Sequence, residues 1–224
     1  MKNYKYFLLA AVALCSLTLT ACGDDDDDEG SGNNNTPASE TVAYDAHGVD
    51  LGLPSGNIWS DQNVDAEAPE EIGGYYSWGA VKTYTEYTSE VYRADVDVEN
   101  TGDDWGGNEK YDVVTLKYGG AWRTPSYADF NELVNNTTKE WTELNGVKGL
   151  KVTGPNGNSI FLPGGGYKVE GNVQRAGFFG AYASSSIDPG YVGAGIRAEV
   201  NAGGAGLAGY YGFHGCTVRG VKHP

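Results

Sequence analysis

From residue 49 onward, short apolar runs alternate with polar, glycine-punctuated breaks, and two periodicities can be separated. Val49 to Gly56 closes in a turn signal, and Asn57-Ile58-Trp59-Ser60 predicts the start of a strand. Ala68 to Ile72 reads as a short helical or turn segment closed by Gly73-Gly74, and Tyr75-Tyr76-Ser77-Trp78 as an aromatic, extended stretch. Residues 81–107 are polar and weakly periodic, and no element is predicted there. Glu109 to Lys117 carries Val113, Val114 and Leu116 and stops at Gly119-Gly120, a short helix with a glycine end. The strongest helical pattern follows. Ser126 sits three residues before Asp129, the spacing of a capping box, and Phe130, Leu133 and Val134 share one face before Asn135-Asn136 ends the run. Beyond it the period changes to two. Lys148–Thr153 and Ser159–Leu162 flank Gly154-Pro155-Asn156-Gly157 as a hairpin, and further strands are predicted at Phe179–Ser184, Tyr191–Val200, Gly206–Phe213 and Cys216–Val221. Two short helices followed by strands in one compact unit predict an α+β domain with a twisted, mainly antiparallel sheet over residues 41–224.

The first forty residues follow another pattern. Lys2 and Lys5 precede an apolar stretch, Phe7 to Leu14, too short to span a bilayer as a mature helix, so residues 1–21 read as a secretion signal. The signal ends in Leu19-Thr20-Ala21-Cys22, which resembles the lipobox of bacterial lipoproteins. That resemblance implies acylation of Cys22 and an anchor in outer-membrane lipid, since each buried methylene contributes about 0.8 kcal/mol and two or three acyl chains suffice for stable attachment. Residues 22–40, with the acidic run Asp24 to Glu29 and then Gly30-Ser31-Gly32-Asn33-Asn34-Asn35-Thr36-Pro37, predict a flexible tether, because like charges repel and the remainder has nothing to bury. An acidic run directly after the lipidated cysteine also resembles the surface-export signal of lipoproteins in Bacteroidota.

Charge and composition narrow the partners. The net charge of −15 repels phosphate backbones, which excludes nucleic acid as a partner. Of 34 glycines most lie beyond Gly119, in predicted turns and small-residue strands, whereas Tyr75, Tyr76, Trp78, Tyr84, Tyr87, Tyr92 and Trp105 cluster in the polar first half. With Cys15 in the signal and Cys22 lipidated, only Cys216 remains, so neither an internal disulfide nor a cysteine redox centre can form.

Among candidate chemistries, Leu162-Pro163-Gly164-Gly165-Gly166-Tyr167 lacks the lysine and hydroxyl residue of a phosphate-binding loop and reads as a turn or bulge. His47, His214 and His223 have no mutual metal spacing. Asp95, Asp97 and Glu99 alternate along an extended segment, and with Asp103 and Asp104 they make a candidate calcium site, the one cofactor with any support. Acidic pairs also leave a polysaccharide hydrolase open. Tyr75, Tyr76, Trp78, Tyr84, Tyr87 and Trp105 lie among acids and amides and form the candidate ligand surface, suited to stacking on sugar rings or to burial against a protein; each is equally well explained as core.

Several blocks resemble one family. Asp50-Leu51-Gly52-Leu53-Pro54-Ser55-Gly56-Asn57-Ile58-Trp59, Gly74-Tyr75-Tyr76-Ser77-Trp78-Gly79, Gly119-Gly120-Ala121-Trp122-Arg123-Thr124-Pro125, Val152 to Pro163 and Val218-Arg219-Gly220-Val221-Lys222 resemble the Fibrobacter succinogenes major paralogous domain family. The resemblance implies a compact C-type-lectin-like fold and a surface lipoprotein acting as a non-enzymatic binding module for glycan or a protein partner, or else a structural subunit of an envelope or adhesin assembly. Its hallmark falls on Trp122, Arg123 and Pro125. Read from chemistry alone, Trp122 anchors two helices, Pro125 sets the start of the second, and Arg123 donates to a carboxylate, to strand carbonyls or to a ligand. The chain departs from the family at Ser184-Ser185-Ser186, where relatives often carry a tryptophan, and in the many small residues of its last strands.

Overall fold

The computed structural model describes residues 48–224; the signal segment, Cys22 and the acidic tether lie outside the described residues. Three helices and twelve strands follow one another: β1 (Gly48–Asp50), β2 (Ile58–Asn63), α1 (Ser89–Asp95), α2 (Val113–Tyr118), β3 (Trp122–Arg123), α3 (Tyr127–Asn136), β4 (Thr138–Leu144), β5 (Val147–Thr153), β6 (Ser159–Pro163), β7 (Gly165–Val169), β8 (Asn172–Gln174), β9 (Phe179–Ile187), β10 (Ala194–Asn201), β11 (Gly204–Tyr211) and β12 (Arg219–Lys222). The strands form three sheets, ordered β1-β2-β12-β3, β11-β10-β9-β7-β8 and β4-β5-β6, and only β7 pairs with β9 in parallel. The class is α+β with strands predominating. Three short helices and three sheets replace the two helices and single sheet expected.

The additional helix, α1, lies in the stretch where no element was predicted. It buries only Tyr92 and leans on a single cap, the Val91 amide donating to Thr88 Oγ1 at 3.3 Å, so no apolar stripe announces it. The predicted capping box of α3 is present in full: the Asp129 amide donates to Ser126 Oγ, the Ser126 amide donates to Asp129 Oδ2, and Phe130 and Leu133 are buried. In α2 the cap is Asp112, which lies wholly inside the molecule. Its carboxylate accepts from the amides of Val114 and Thr115, from the amide of Gly107 at 2.7 Å, and from both the amide and the hydroxyl of Thr124. One side chain thus caps a helix, closes the preceding loop and fixes the strand leading to α3.

Two apolar clusters lie against the five-stranded sheet. One gathers Trp78, Tyr92, Trp105, Tyr111, Val114, Phe179, Tyr210 and Cys216; the other gathers Leu51, Trp59, Phe130, Leu150, Leu162, Tyr182 and Val200. Strand β9 separates them by simple alternation, with Phe179, Ala181 and Ala183 in the first cluster and Tyr182 in the second. Small residues in these strands make room for large ones elsewhere. At Gly195 a Cβ would overlap the indole of Trp78, whose Nε1 donates to the Ser184 carbonyl at 3.1 Å.

Buried Arg219 joins sheets. Its Nη1 donates to the Ser60 carbonyl of β2 at 3.1 Å and its Nη2 to the Phe161 carbonyl of β6 at 2.8 Å, so the guanidinium fork serves two strands from a third. Burial lowers its affinity for a proton from the usual arginine value.

Candidate functional site

The aromatic residues of the first half are largely structural. Tyr76, Trp78, Tyr87 and Trp105 are buried, with Trp78 and Trp105 packed at a centroid distance of 5.8 Å, which corrects their assignment to an exposed ligand surface. The Tyr87 hydroxyl donates to the Tyr75 carbonyl at 2.7 Å, and the Tyr76 hydroxyl donates to Asp65. Tyr75 and Tyr84 are half-buried, and both hydroxyls are engaged, Tyr75 with the Gly165 carbonyl at 2.5 Å and Tyr84 with Asp95 at 2.7 Å. Burial pushes the Tyr75 phenol up to about 12. These rings lie in the interior because α1 and the loops on either side of it wrap the five-stranded sheet. Polar neighbours in sequence therefore do not mark a solvent-facing segment here.

The five acids of the candidate calcium site do not converge. Asp95 pairs with Lys82 and Tyr84, Asp97 accepts from the Asn100 side chain at 2.9 Å, and Asp104 pairs with Arg123 at 3.3 Å. Among the described residues no group of three or more histidine, cysteine or acidic side chains is arranged to hold a metal ion. The alternation of Asp95, Asp97 and Glu99 was misread because Ser89–Asp95 is helical, which takes Asp95 out of any extended run.

The Trp122, Arg123 and Pro125 block does connect two helices. Trp122 meets Tyr118 of α2 edge to face at 6.1 Å, and Pro125 precedes the cap of α3. Arg123 donates to Asp104, to Ser185 Oγ and to the Thr124 carbonyl. The serine triplet answers it: the Ser185 amide donates to the Pro125 carbonyl at 2.8 Å, and Ser186 Oγ accepts from the Tyr127 amide at 2.9 Å. Ser185 and Ser186 thus fasten β9 to the start of α3.

The exposed aromatic surface belongs to the second half of the chain. Tyr191 is 70 % exposed and Tyr211 64 %, and both rim a recess of about 330 Å³ walled by Tyr167, Arg197, Tyr210 and His214. The floor is made by strand alternation: Arg197 of β10 and Tyr210 of β11 face inward on one side of the sheet, while Tyr211 must face out. The Arg197 guanidinium lies over the rings of Tyr167 at 5.1 Å and Tyr210 at 5.3 Å, and gives Nε and Nη2 to Glu199 Oε1 at 2.9 and 2.6 Å. His214 stacks on Tyr167 at 5.5 Å. Burial first, and the Arg197 charge second, hold this imidazole below its ordinary value, so it is neutral near pH 7.

Three polar atoms in these walls are buried without a hydrogen-bond partner: Arg197 Nη1, the Tyr210 hydroxyl and His214 Nδ1. The Cys216 thiol beside Arg197 and Tyr210 is a weak acceptor, and burial pushes it up to about 11, away from any nucleophilic role. A wider recess of about 760 Å³ is lined by Asp103, Tyr127, Ser186, Ile187, Pro189, Val192 and Ile196, and Asp188 and Tyr191 belong to both. The sequence carried one usable signal for this surface, the Asp188-Pro189-Gly190 turn followed directly by Tyr191-Val192, two large apolar residues where a loop ought to be polar. No protein-family model matches the chain, and no curated protein or solved structure matches it.

Proposed function

We propose that the protein is a non-enzymatic binding module that presents the rim of Tyr191 and Tyr211, and the recess between them, to a glycan or a protein partner. The observation that carries this reading is the pairing of two large exposed aromatic rings with a recess walled by Tyr167, Arg197, Tyr210 and His214. Pockets of this size with aromatic walls and a few convergent polar groups are the usual form of a ligand site. Of the nearby carboxylates, Glu199 accepts from Arg197 at Oε1 and Asp188 from the Gly190 amide at Oδ1, at 2.9 Å. The lectin-like fold and the family resemblance are part of this proposal and rest on the sequence blocks given above.

The setting we propose is the outer membrane, with an acylated Cys22 in the lipid and the acidic segment carrying the domain to the cell surface. The signal pattern and the Leu19-Thr20-Ala21-Cys22 motif support it. A second reading, a subunit of an envelope or adhesin assembly, is favoured by Val192, an exposed aliphatic side chain beside Tyr191 that offers a sugar hydroxyl nothing. A glycan array and a cell-surface pull-down with the full chain test the main reading. Binding that is lost in Tyr191→Ala supports it, and silence in both assays contradicts it.

A further inference from the structure

Proteins keep the outer strands of their sheets short, charged or covered, because the unpaired backbone of an outer strand recruits further strands. Among the described residues most edges follow that rule: β1 has three residues, β3 two and β8 three; β4 carries Lys139, Glu140 and Glu143; and β6 is buried apart from Ser159 and ends at Pro163. Strand β11 does not. It lies at the outside of the five-stranded sheet, runs for eight residues from Gly204 to Tyr211, and holds neither a charge nor a proline. Every residue of it aligns with β10 without a register shift, so no bulge turns the edge away. Strand β4 comes near but gives it no backbone bond, and residues 204–210 find no backbone partner outside β10 among the described residues. Every second amide and carbonyl along this strand therefore points outward unpaired.

Charge and shape select the partner. The chain carries a net charge of −15, so two copies repel one another over most of their surface. An edge without charged side chains sets no like charges opposite each other. On the adjoining β10, Arg197 and Glu199 bond to one another, and Asp188 occupies the place of a Gly209 side chain, on the face of the sheet rather than at its edge. The strand is also graded, with Gly204-Ala205-Gly206 at its start and Tyr210-Tyr211 at its end. Antiparallel pairing with an identical strand sets the large residues of each copy against the small ones of the other, and an aromatic ring beside an edge glycine stabilises a sheet. A two-fold axis through the middle of such a pair closes the assembly at two copies. We infer that β11 pairs antiparallel with β11 of a second copy, joining two five-stranded sheets into one. The contact is made by backbone at the edge, and it holds whatever the Tyr191 recess binds.

The test is sedimentation velocity of the full chain over a concentration series, paired with hydrogen–deuterium exchange. The inference predicts a monomer–dimer equilibrium in which the amides of residues 204–211 gain protection as the dimer forms. A side chain at Gly206 would meet open space, so Gly206→Lys and Gly206→Asp should each keep the unfolding midpoint of the monomer. Each should weaken dimerisation at least about tenfold, by bringing like charges to the paired edges. An equimolar mixture of the two variants should recover the dimer, because the charges are then opposite. A chain that stays monomeric up to about 1 mM overturns the inference and leaves the edge to an unlike partner. A dimer indifferent to both substitutions overturns it as well, since its contact would lie elsewhere. So does a mixture that stays monomeric, because the two copies of residue 206 would then not be neighbours.

Discussion

Gly195 of β10 lies against the indole of Trp78, and a side chain at that position would occupy the space of the ring. The contact explains why a strand in the middle of a sheet carries a residue that ordinarily weakens strands. Gly195→Ala is expected to lower stability by about 2–3 kcal/mol through overpacking, read as a drop in the denaturant midpoint with an unchanged slope. A neutral effect would show that Trp78 can shift.

Asp112 supplies the second structural prediction. Its carboxylate accepts from Gly107, Val114, Thr115 and Thr124, so Asp112→Ala removes a helix cap and strands several buried donors at once. The expected loss is about 2–4 kcal/mol. Asp112→Asn keeps one acceptor oxygen and should fall between the two in thermal unfolding.

His214 gives a pH dependence whose sign follows from its lowered proton affinity. The unfolded chain protonates this imidazole near pH 6.5, whereas the folded chain resists protonation until lower pH. Its contribution to stability is therefore complete above about pH 6.5 and is lost as the pH falls below that value toward the folded-state value. Replacement by Gln should flatten the stability profile in that acidic window relative to the unmodified protein. An unchanged slope would mean that His214 is as accessible to protons folded as unfolded.

Lipidation is tested separately from binding. Cys22→Ser in the native cell should abolish incorporation of labelled palmitate and release the protein from the membrane fraction, since a serine hydroxyl cannot replace the thiol in the acyl transfer. Persistent labelling would refute the assignment.

Much of the fold could be read from the chain because its signals were local. The Ser126/Asp129 capping box, the glycine stop of the helix expected over Glu109–Lys117, which begins only at Val113, and the hairpin about Gly154–Gly157 each rest on spacing within a few residues. Strand β4 was missed because its burial alternates only weakly, and β7 and β8 because Gly164-Gly165-Gly166 reads as a turn. The site itself was placed in the wrong half. Tyr76, Trp78, Tyr87 and Trp105 have polar neighbours in sequence yet apolar neighbours in space, and nothing short of the tertiary fold shows that α1 and its flanking loops fold them inward. Tyr211 was hidden for the opposite reason, lying within a run of small residues that promised little surface chemistry.

The claim that the functional surface is the Tyr191/Tyr211 rim is tested most directly by hydrogen–deuterium exchange of the full chain with and without a saturating amount of a ligand recovered from the glycan array or the pull-down. The account predicts protection at residues 188–192 and 209–214, with residues 75–87 unaffected. Protection confined to residues 75–87, with the 188–192 turn exchanging as before, would contradict it.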